Sequence, residues 1–170
     1  FQSICILLSK VLCPKNFIYQ IALIEVMYDV IIIGGGPAGL SAAVYTTRYF
    51  LKTLIVTKDI GGAMLKTLDI ENYPGFAHTT GMELSKLMGD HATNLGAEVV
   101  EFGADKVEKK GKKFVVTAGE KKFESRSIIF CQGSRTRKLG AKNEDKYAGL
   151  GVSYCVTCDA AFYRNKVTAV

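Results

Sequence analysis

The sequence lacks a second closely spaced pair of cysteines or histidines, which limits the metal chemistry open to it. Of its five cysteines, only Cys155 and Cys158 lie close together. A structural zinc site needs two further ligands at suitable spacing, whereas Cys131, His78 and His91 are scattered along the chain. The cysteines also lack the even spacing of a small secreted scaffold. We therefore predict no metal site and favour a redox pair in a reducing cytosol, with a partial zinc site as the alternative.

Internal repeats, low-complexity tracts and nucleic-acid-binding motifs are absent as well. The net charge of +6 comes mainly from lysines between residues 106 and 122 and from basic residues between 135 and 138. No binding motif or interleaved aromatic stack accompanies this charge. It therefore indicates a solvated hairpin edge and loop, with a docking surface for an acidic protein as the alternative, and we expect no nucleic-acid partner.

The first 26 residues contain no long uncharged run, because Lys10, Lys15 and Glu25 interrupt their apolar stretches. A membrane-spanning helix needs about 18 such residues, so none is predicted. The late position of Lys10 and the lack of a small-residue cleavage site do not fit a signal peptide. Met27 leads directly into a strand pattern. We expect translation to start there, with residues 1–26 a non-native or disordered extension; a weakly membrane-associating helix is the alternative.

A glycine-rich turn follows the first predicted strand. The β-branched run at 28–33 is typical of a central parallel strand buried on both faces. Gly34, Gly36 and Gly39 then form a Gly-x-Gly-x-x-Gly motif, and Pro37 suits the first turn of a helix. In such a motif the glycines allow a tight turn, close approach of a pyrophosphate and close packing of helix on strand. With the free N–H groups of the helix end, the motif predicts a dinucleotide site.

The rest of the pattern predicts an α/β fold, namely a Rossmann-like domain with a central parallel sheet and an antiparallel β excursion. An acid that binds ribose hydroxyls is expected about 20 residues after the motif. Asp59 is the only candidate, just past the predicted end of the second strand. The later predicted elements are a helix at 37–49, strands at 52–57 and 98–102, a helix at 81–95, excursion strands at 106–109, 114–118 and 121–125, a strand at 127–131, a helix at 155–163 and a strand at 166–170.

The close cysteine pair stands at the predicted start of a helix. Cys155 and Cys158 can close a small disulfide ring, and the helix dipole would stabilise the Cys155 thiolate. Asp159 is either a solvated first-turn acid or a proton donor and acceptor for a departing thiolate. A dithiol and a dinucleotide site in one chain indicate electron transfer between a bound flavin and a disulfide.

From about Met27 onward the chain resembles the low-molecular-weight, bacterial-type thioredoxin reductases. The resemblance implies a cytoplasmic homodimer in which NADPH reduces FAD, the flavin reduces the dithiol, and the dithiol reduces thioredoxin or a similar disulfide protein. It also implies that residues 27–143 belong to an FAD-binding domain and 144–170 begin an NADPH and dithiol domain. The stretches that carry it are 28–40, Gly61-Gly62, 71–75, 81–84, His91-Ala92, 95–98, 151–159 and 162–164.

The resemblance implies individual roles as well. Cys158 is the thiol nearer the flavin, Cys155 attacks the partner disulfide, and Asp159 carries a proton. Two departures weaken single cofactor contacts: Ala63 stands where the family usually has Gln, and 131–133 read Cys-Gln-Gly instead of Ala-Thr-Gly. The residues implied to bind FAD are Gly34, Gly36, Pro37, Ala38, Gly39, Lys58, Asp59, Gly61, Gly62, Asn72 and Gly133.

In the family, the strand at 166–170 leads into a second glycine-rich loop that binds NADPH, and this chain ends before such a loop. We therefore expect an incomplete fragment that holds FAD weakly and shows no NADPH-dependent turnover. One alternative is a non-catalytic flavin- or metal-binding fragment. Another is a relative of the alkyl hydroperoxide reductase flavin subunit, although residues 1–26 are too short for that subunit's additional dithiol domain.

Overall fold

The computed structural model describes residues 27–135 and 137–169, apart from the side chains of Thr157, Cys158 and Ala161. The chain divides into two compact units, the first ending at Gly133 and the second beginning at Ser134. The expectations for residues 1–26 and for the Cys158 side chain lie outside the described part. The predicted domain limits stay predictions.

A single six-stranded sheet, in the order β3-β2-β1-β6-β5-β4, forms the framework of the first unit. Helices α1 (Pro37–Arg48) and α2 (Gly81–Asn94) and a 3-10 helix (Gly62–Lys66) connect the early strands. The predicted α/β fold class, with a parallel core and an antiparallel excursion, is confirmed. The strands are β1 (Met27–Gly35), β2 (Thr53–Ile60), β3 (Glu98–Val100), β4 (Lys106–Lys110), β5 (Lys113–Ala118) and β6 (Lys121–Phe130).

The centre of the sheet is parallel, and one outer part is antiparallel. β1 pairs in parallel with β2 and β6, and β2 pairs in parallel with β3. β5 pairs antiparallel with β4 and β6. β1 and β2 are buried on both faces, since apolar clusters lie above and below them. Helices α1 and α2 contribute Leu40, Ala43 and Ala92 to one of these clusters.

β6 corrects the prediction of two separate strands at 121–125 and 127–131. It is one continuous strand whose first half pairs with β5 and whose second half pairs with β1. The polar interruption at Ser125, Arg126 and Ser127 resembles a turn in the sequence. Ser127 Oγ instead donates to the Asp29 carbonyl at 2.7 Å, and Ser125 Oγ donates to the Ser127 carbonyl at 2.9 Å. Because both hydroxyls are hydrogen-bonded, one of them to β1, the strand continues through them.

β2 is also longer than predicted, since it continues to Ile60 instead of ending at residue 57. Lys58 and Asp59 are exposed, so the apolar pattern stops before the strand does. The backbone continues because Ile60 still pairs with Gly35 across an irregularity in β1. Asp59 therefore lies within the strand, not past its end.

The second unit contains only short helices within its described residues. These are α3 (Glu144–Tyr147), α4 (Val156–Asp159) and a 3-10 helix (Ala160–Tyr163). The helix predicted at 155–163 is therefore two consecutive short helices. The strand predicted at 166–170 is wrong over 166–169, where the chain is irregular. A strand needs a pairing partner, and the described part of this unit has only an isolated bridge between Ala148 and Val152. None of the helices in the described ranges combines the length and apolar character needed to cross a bilayer.

Candidate functional site

The glycines that were predicted to bind a dinucleotide lie at the carboxyl edge of the parallel strands. The chain leaves β1 through α1 toward β2 on one side, while β6 lies on the other side of β1. The strand order therefore changes direction beside β1, and such switch points in open α/β sheets leave a crevice outside the strand ends. The turn from Gly34 to Gly36 lies at this position.

Two glycines of the motif are required by packing. Gly34 has a φ of +110°, and a Cβ there would overlap the carbonyl oxygen of Cys131. A Cβ at Gly39 would overlap the Gly34 carbonyl oxygen, so α1 contacts β1 more closely than any side chain permits. At Gly36, by contrast, the nearest atom to an added Cβ would be the Gly61 oxygen at 3.9 Å. The space beside Gly36 is therefore open to a ligand.

A second glycine turn, at Gly61 and Gly62, lies against the first. The Gly61 N–H donates to the Gly35 carbonyl at 2.8 Å. A Cβ at Gly62 would lie 3.3 Å from the Cα of Gly36. Asp59 Oδ1 accepts the Gly62 N–H at 2.8 Å, so this carboxylate supports the turn directly. We call the two facing turns, 34–39 and 59–62, the glycine cradle.

Thr57 links the two turns of the glycine cradle through its hydroxyl group. Its hydroxyl accepts the Gly35 N–H at 2.8 Å and donates to the Asp59 carbonyl at 2.7 Å. The side chain is buried, with 6% of its surface exposed. Sequence reasoning missed this residue, because a threonine at the end of an apolar strand run gives no distinctive signal.

The N-terminus of α1 faces the glycine cradle without a side-chain cap. Gly36 is the N-cap residue, Pro37 is the first helical residue, and the first turn has no acidic side chain. Pro37 and Ala38 are exposed. An open helix end with free N–H groups favours an anion such as a phosphate. The cradle therefore fits the pyrophosphate of a dinucleotide.

The remaining predicted cofactor residues lie around the cradle without joining it. Lys58 is exposed, and its aliphatic stem lies beside Gly103. Asn72 is exposed in the loop between the bridge partners Ile70 and Thr79. Gly133 is exposed after β6, with a φ of +68°. Among the described residues none of these three hydrogen bonds to the cradle, so their roles stay predictions.

Residues 153–159, which we call the cysteine segment, lie in the second unit. Cys155 directly precedes α4, is half-buried and is disulfide-bonded. Ser153 Oγ accepts the Cys155 N–H at 3.2 Å and donates to Asp159 Oδ2 at 2.6 Å. Asp159 is thus held by a hydroxyl two residues before the cysteine. Sequence reasoning missed Ser153, although a serine shortly before a helix start is a common capping signal.

Comparison with known families identifies the family to which this chain belongs. Residues 28–170 match the pyridine nucleotide-disulphide oxidoreductase family. The chain belongs to this family.

Several curated relatives of the chain are thioredoxin reductases. That of Bacillus subtilis (strain 168) is 47% identical over 148 residues, which cover 86% of this chain and 46% of the relative. That of Listeria monocytogenes is 48% identical over 144 residues, covering 84% of this chain and 45% of the relative. The crystal structure of thioredoxin reductase from Streptococcus pyogenes MGAS5005 aligns with a TM-score of 0.71 and 38% identity, over 82% of this chain and 46% of that one. The chain thus spans about half the length of these relatives, and the predicted resemblance is confirmed.

Cys131 packs as a small apolar residue at the end of β6. It is a free thiol, half-buried beside the apolar cluster under α1. Its N–H donates to the Ile33 carbonyl at 2.7 Å. Burial raises the pKa of the Cys131 thiol, so it stays protonated at neutral pH. A protonated thiol is a poor nucleophile, which favours a packing role for Cys131.

Proposed function

We propose that the protein is a flavin-dependent thiol–disulfide oxidoreductase of the thioredoxin reductase type. Electrons pass from NADPH through FAD to the dithiol of Cys155 and Cys158, and then to thioredoxin or a similar disulfide protein. One observation carries the proposal: a disulfide-bonded Cys155 in a chain that also has an open glycine cradle. Since the chain spans about half of its relatives, the proposal concerns the whole protein, which we expect to be a cytoplasmic homodimer.

The glycine cradle holds FAD by its backbone. Gly34 and Gly39 bring α1 against β1, and the open backbone at Gly36 admits the pyrophosphate. Asp59 keeps the Gly61-Gly62 turn in place through the Gly62 N–H. Lys58, Asn72 and Gly133 add contacts at the rim. When bound, FAD supplies the two-electron chemistry that links a nicotinamide to a disulfide.

The dithiol transfers its electrons by two exchange steps. The Cys155 thiolate attacks one sulfur of the partner disulfide, forming a mixed disulfide and releasing the other partner sulfur as a thiolate. The Cys158 thiolate then attacks the Cys155 sulfur, which closes the internal disulfide and releases the second partner thiolate. Both partner sulfurs leave as thiolates that take up protons. Asp159, held by Ser153, carries one of these protons.

A trapping experiment tests the role of Cys155. A reduced Cys158→Ser chain is mixed with a thioredoxin that keeps only one of its two active-site cysteines, held as a mixed disulfide with thionitrobenzoate. The Cys155 thiolate displaces thionitrobenzoate, and neither active site then has a second thiol to break the new bond. We therefore expect a stable mixed disulfide at Cys155, identified by mass spectrometry of the linked peptides. A chain with Cys155→Ser and Cys158→Ser is the matched control and should form no adduct. An adduct that persists in the control, or none in the trap, contradicts the proposal.

A spectrum separates the proposal from its alternatives. The 170-residue chain is incubated with FAD, passed through a desalting column and examined for flavin absorbance and zinc content. Flavin bands that change on reduction of the dithiol favour the enzyme, whereas a colourless protein that releases zinc favours a metal-binding module. The predictions that these residues hold FAD weakly and oxidise no NADPH are tested in the same sample. Stoichiometric flavin with NADPH oxidation would disprove both.

A further inference from the structure

The second unit contains a buried carboxylate next to the cysteine segment. Glu144 begins α3, and only 7% of its surface is exposed. Oε1 accepts the Leu139 N–H at 2.9 Å and the Tyr154 hydroxyl at 2.6 Å. Oε2 accepts the N–H groups of Gly140 at 2.6 Å and Ala141 at 3.1 Å. Four donors thus converge on one side chain, which matches the hydrogen-bonding capacity of a carboxylate.

This arrangement keeps Glu144 ionised. The Tyr154 hydroxyl and the three backbone N–H groups lower the pKa of Glu144 below its ordinary value. In return, the Glu144 carboxylate raises the pKa of Tyr154 to about 12, so the hydroxyl keeps the proton that it donates. A charge is costly to bury unless it is fully hydrogen-bonded. The site is therefore built around the charged form of Glu144.

The carboxylate joins two stretches of chain that flank the turn before the cysteine. One is the loop from Leu139 to Ala141, and the other begins at Tyr154. Between them the chain closes a turn in which the Val152 N–H donates to the Tyr147 carbonyl at 2.9 Å. Tyr154 directly precedes Cys155, so the last bond to Glu144 lies one residue from the disulfide.

We propose that Glu144 is a positioning residue for Cys155. Through the Tyr154 hydroxyl, its carboxylate holds the backbone that carries the Cys155 sulfur in the geometry of the closed disulfide. The inference rests on the proposed function, because it takes this disulfide to be the redox-active one. We call the hydrogen bond between Glu144 and the Tyr154 hydroxyl, with the backbone bonds that fix Glu144, the anchor. A segment that is already ordered loses less conformational freedom when the ring closes, so the anchor favours the disulfide over the dithiol.

The test measures the equilibrium between this disulfide and dithiothreitol. One dithiothreitol reduces the disulfide to two thiols and becomes its own cyclic disulfide, so atoms and electrons balance. The 170-residue chain is equilibrated in buffers with different ratios of reduced to oxidised dithiothreitol, and the reaction is quenched with an alkylating reagent. The oxidised fraction at Cys155 is read by mass spectrometry. Far-UV circular dichroism checks that each variant is folded.

Two variants weaken the anchor to different degrees. Tyr154→Phe removes one of the four donors, and we expect it to shift the equilibrium toward the dithiol about threefold. Glu144→Gln removes the charge at nearly constant volume, and we expect about a tenfold shift, which equals about 30 mV. Tyr147→Phe is the matched control, because the Tyr147 hydroxyl makes no hydrogen bond within the described residues and its loss should change nothing.

Each outcome decides between the two ideas. Folded variants that keep the wild-type equilibrium overturn the positioning role while leaving the proposed function intact. A wild-type disulfide that does not exchange with dithiothreitol overturns the proposed function and the positioning role with it. If Glu144→Gln does not fold, Tyr154→Phe decides alone, because a shift supports the anchor and an unchanged ratio rejects it.

Discussion

The glycine cradle of the first unit and the cysteine segment of the second are held in place by different kinds of interaction. The cradle rests on the ends of β1 and β2, two strands buried on both faces, and on backbone packing that excludes any Cβ at Gly34 or Gly39. The cysteine segment has no sheet beneath it within the described residues and depends on hydrogen bonds that the side chains of Glu144 and Ser153 accept. Close backbone packing therefore fixes the cradle, whereas the cysteine segment depends on a few side chains that single substitutions can remove.

The largest effect should come from breaking the rigid side of this comparison. Gly39→Ala places a Cβ against the Gly34 carbonyl oxygen, which neither element can avoid. We expect a loss of about 3 kcal/mol or more in the free energy of unfolding, measured by urea denaturation. Gly111→Ala is the control: its φ is +63° with open space around it, so it should cost only about 1 kcal/mol. Equal losses in the two variants would show that the close packing is not the cause.

A smaller effect should follow from Thr57→Val, which keeps the shape of the side chain and removes its hydroxyl. The buried Gly35 N–H and Asp59 carbonyl then lose a partner, at a cost of about 2 kcal/mol. Thr53→Val is matched to it on the same strand, since Thr53 is buried and its hydroxyl donates to the Leu51 carbonyl at 3.0 Å. Both variants should lose stability, but only Thr57→Val should weaken FAD binding in a fluorescence titration. An equal loss of FAD binding in both variants would show that Thr57 has no specific role in the cradle.

Acid should loosen the cysteine segment through Glu144. Its pKa in the folded chain is lowered from the ordinary value of 4.5. The carboxylate therefore contributes stability that is fully present above pH 4.5 and is lost as the pH falls through the lowered value. NMR shifts of the Leu139, Gly140 and Ala141 amides should titrate together with a midpoint below 4.5. A midpoint above this value, or the same titration in Glu144→Gln, would exclude Glu144 as the source.

The smallest effect should come from Ser153→Ala. The substitution removes the acceptor for the Cys155 N–H and the donor to Asp159, and both hydrogen bonds are exposed. We expect a loss of only about 0.5–1 kcal/mol in stability, but a slower exchange of the reduced chain with oxidised thioredoxin. Ser134→Ala, at an exposed serine without a hydrogen bond in the described ranges, serves as the control. Identical exchange rates in the two variants would show that Ser153 has no role in the exchange reaction.

Most of the cradle could be predicted because its signals are local. The β-branched run before Gly34, the glycine spacing and Pro37 each act within a few residues, and β1 and α1 form where they were expected. Asp59 was identified as a candidate, but its bond to the Gly62 N–H was not foreseen, because it depends on how far β2 continues.

The amino-acid pattern alone was enough for the α/β class and the glycine cradle, because periodicity and special residues act over short stretches of chain. Tertiary structure decided the rest. It joined two predicted strands into β6, since pairing with β1 and β5 outweighs the local polar interruption. It also buried Glu144 beneath Tyr154, because a charged residue in a polar loop has no local pattern that distinguishes a solvated side chain from the centre of four hydrogen bonds.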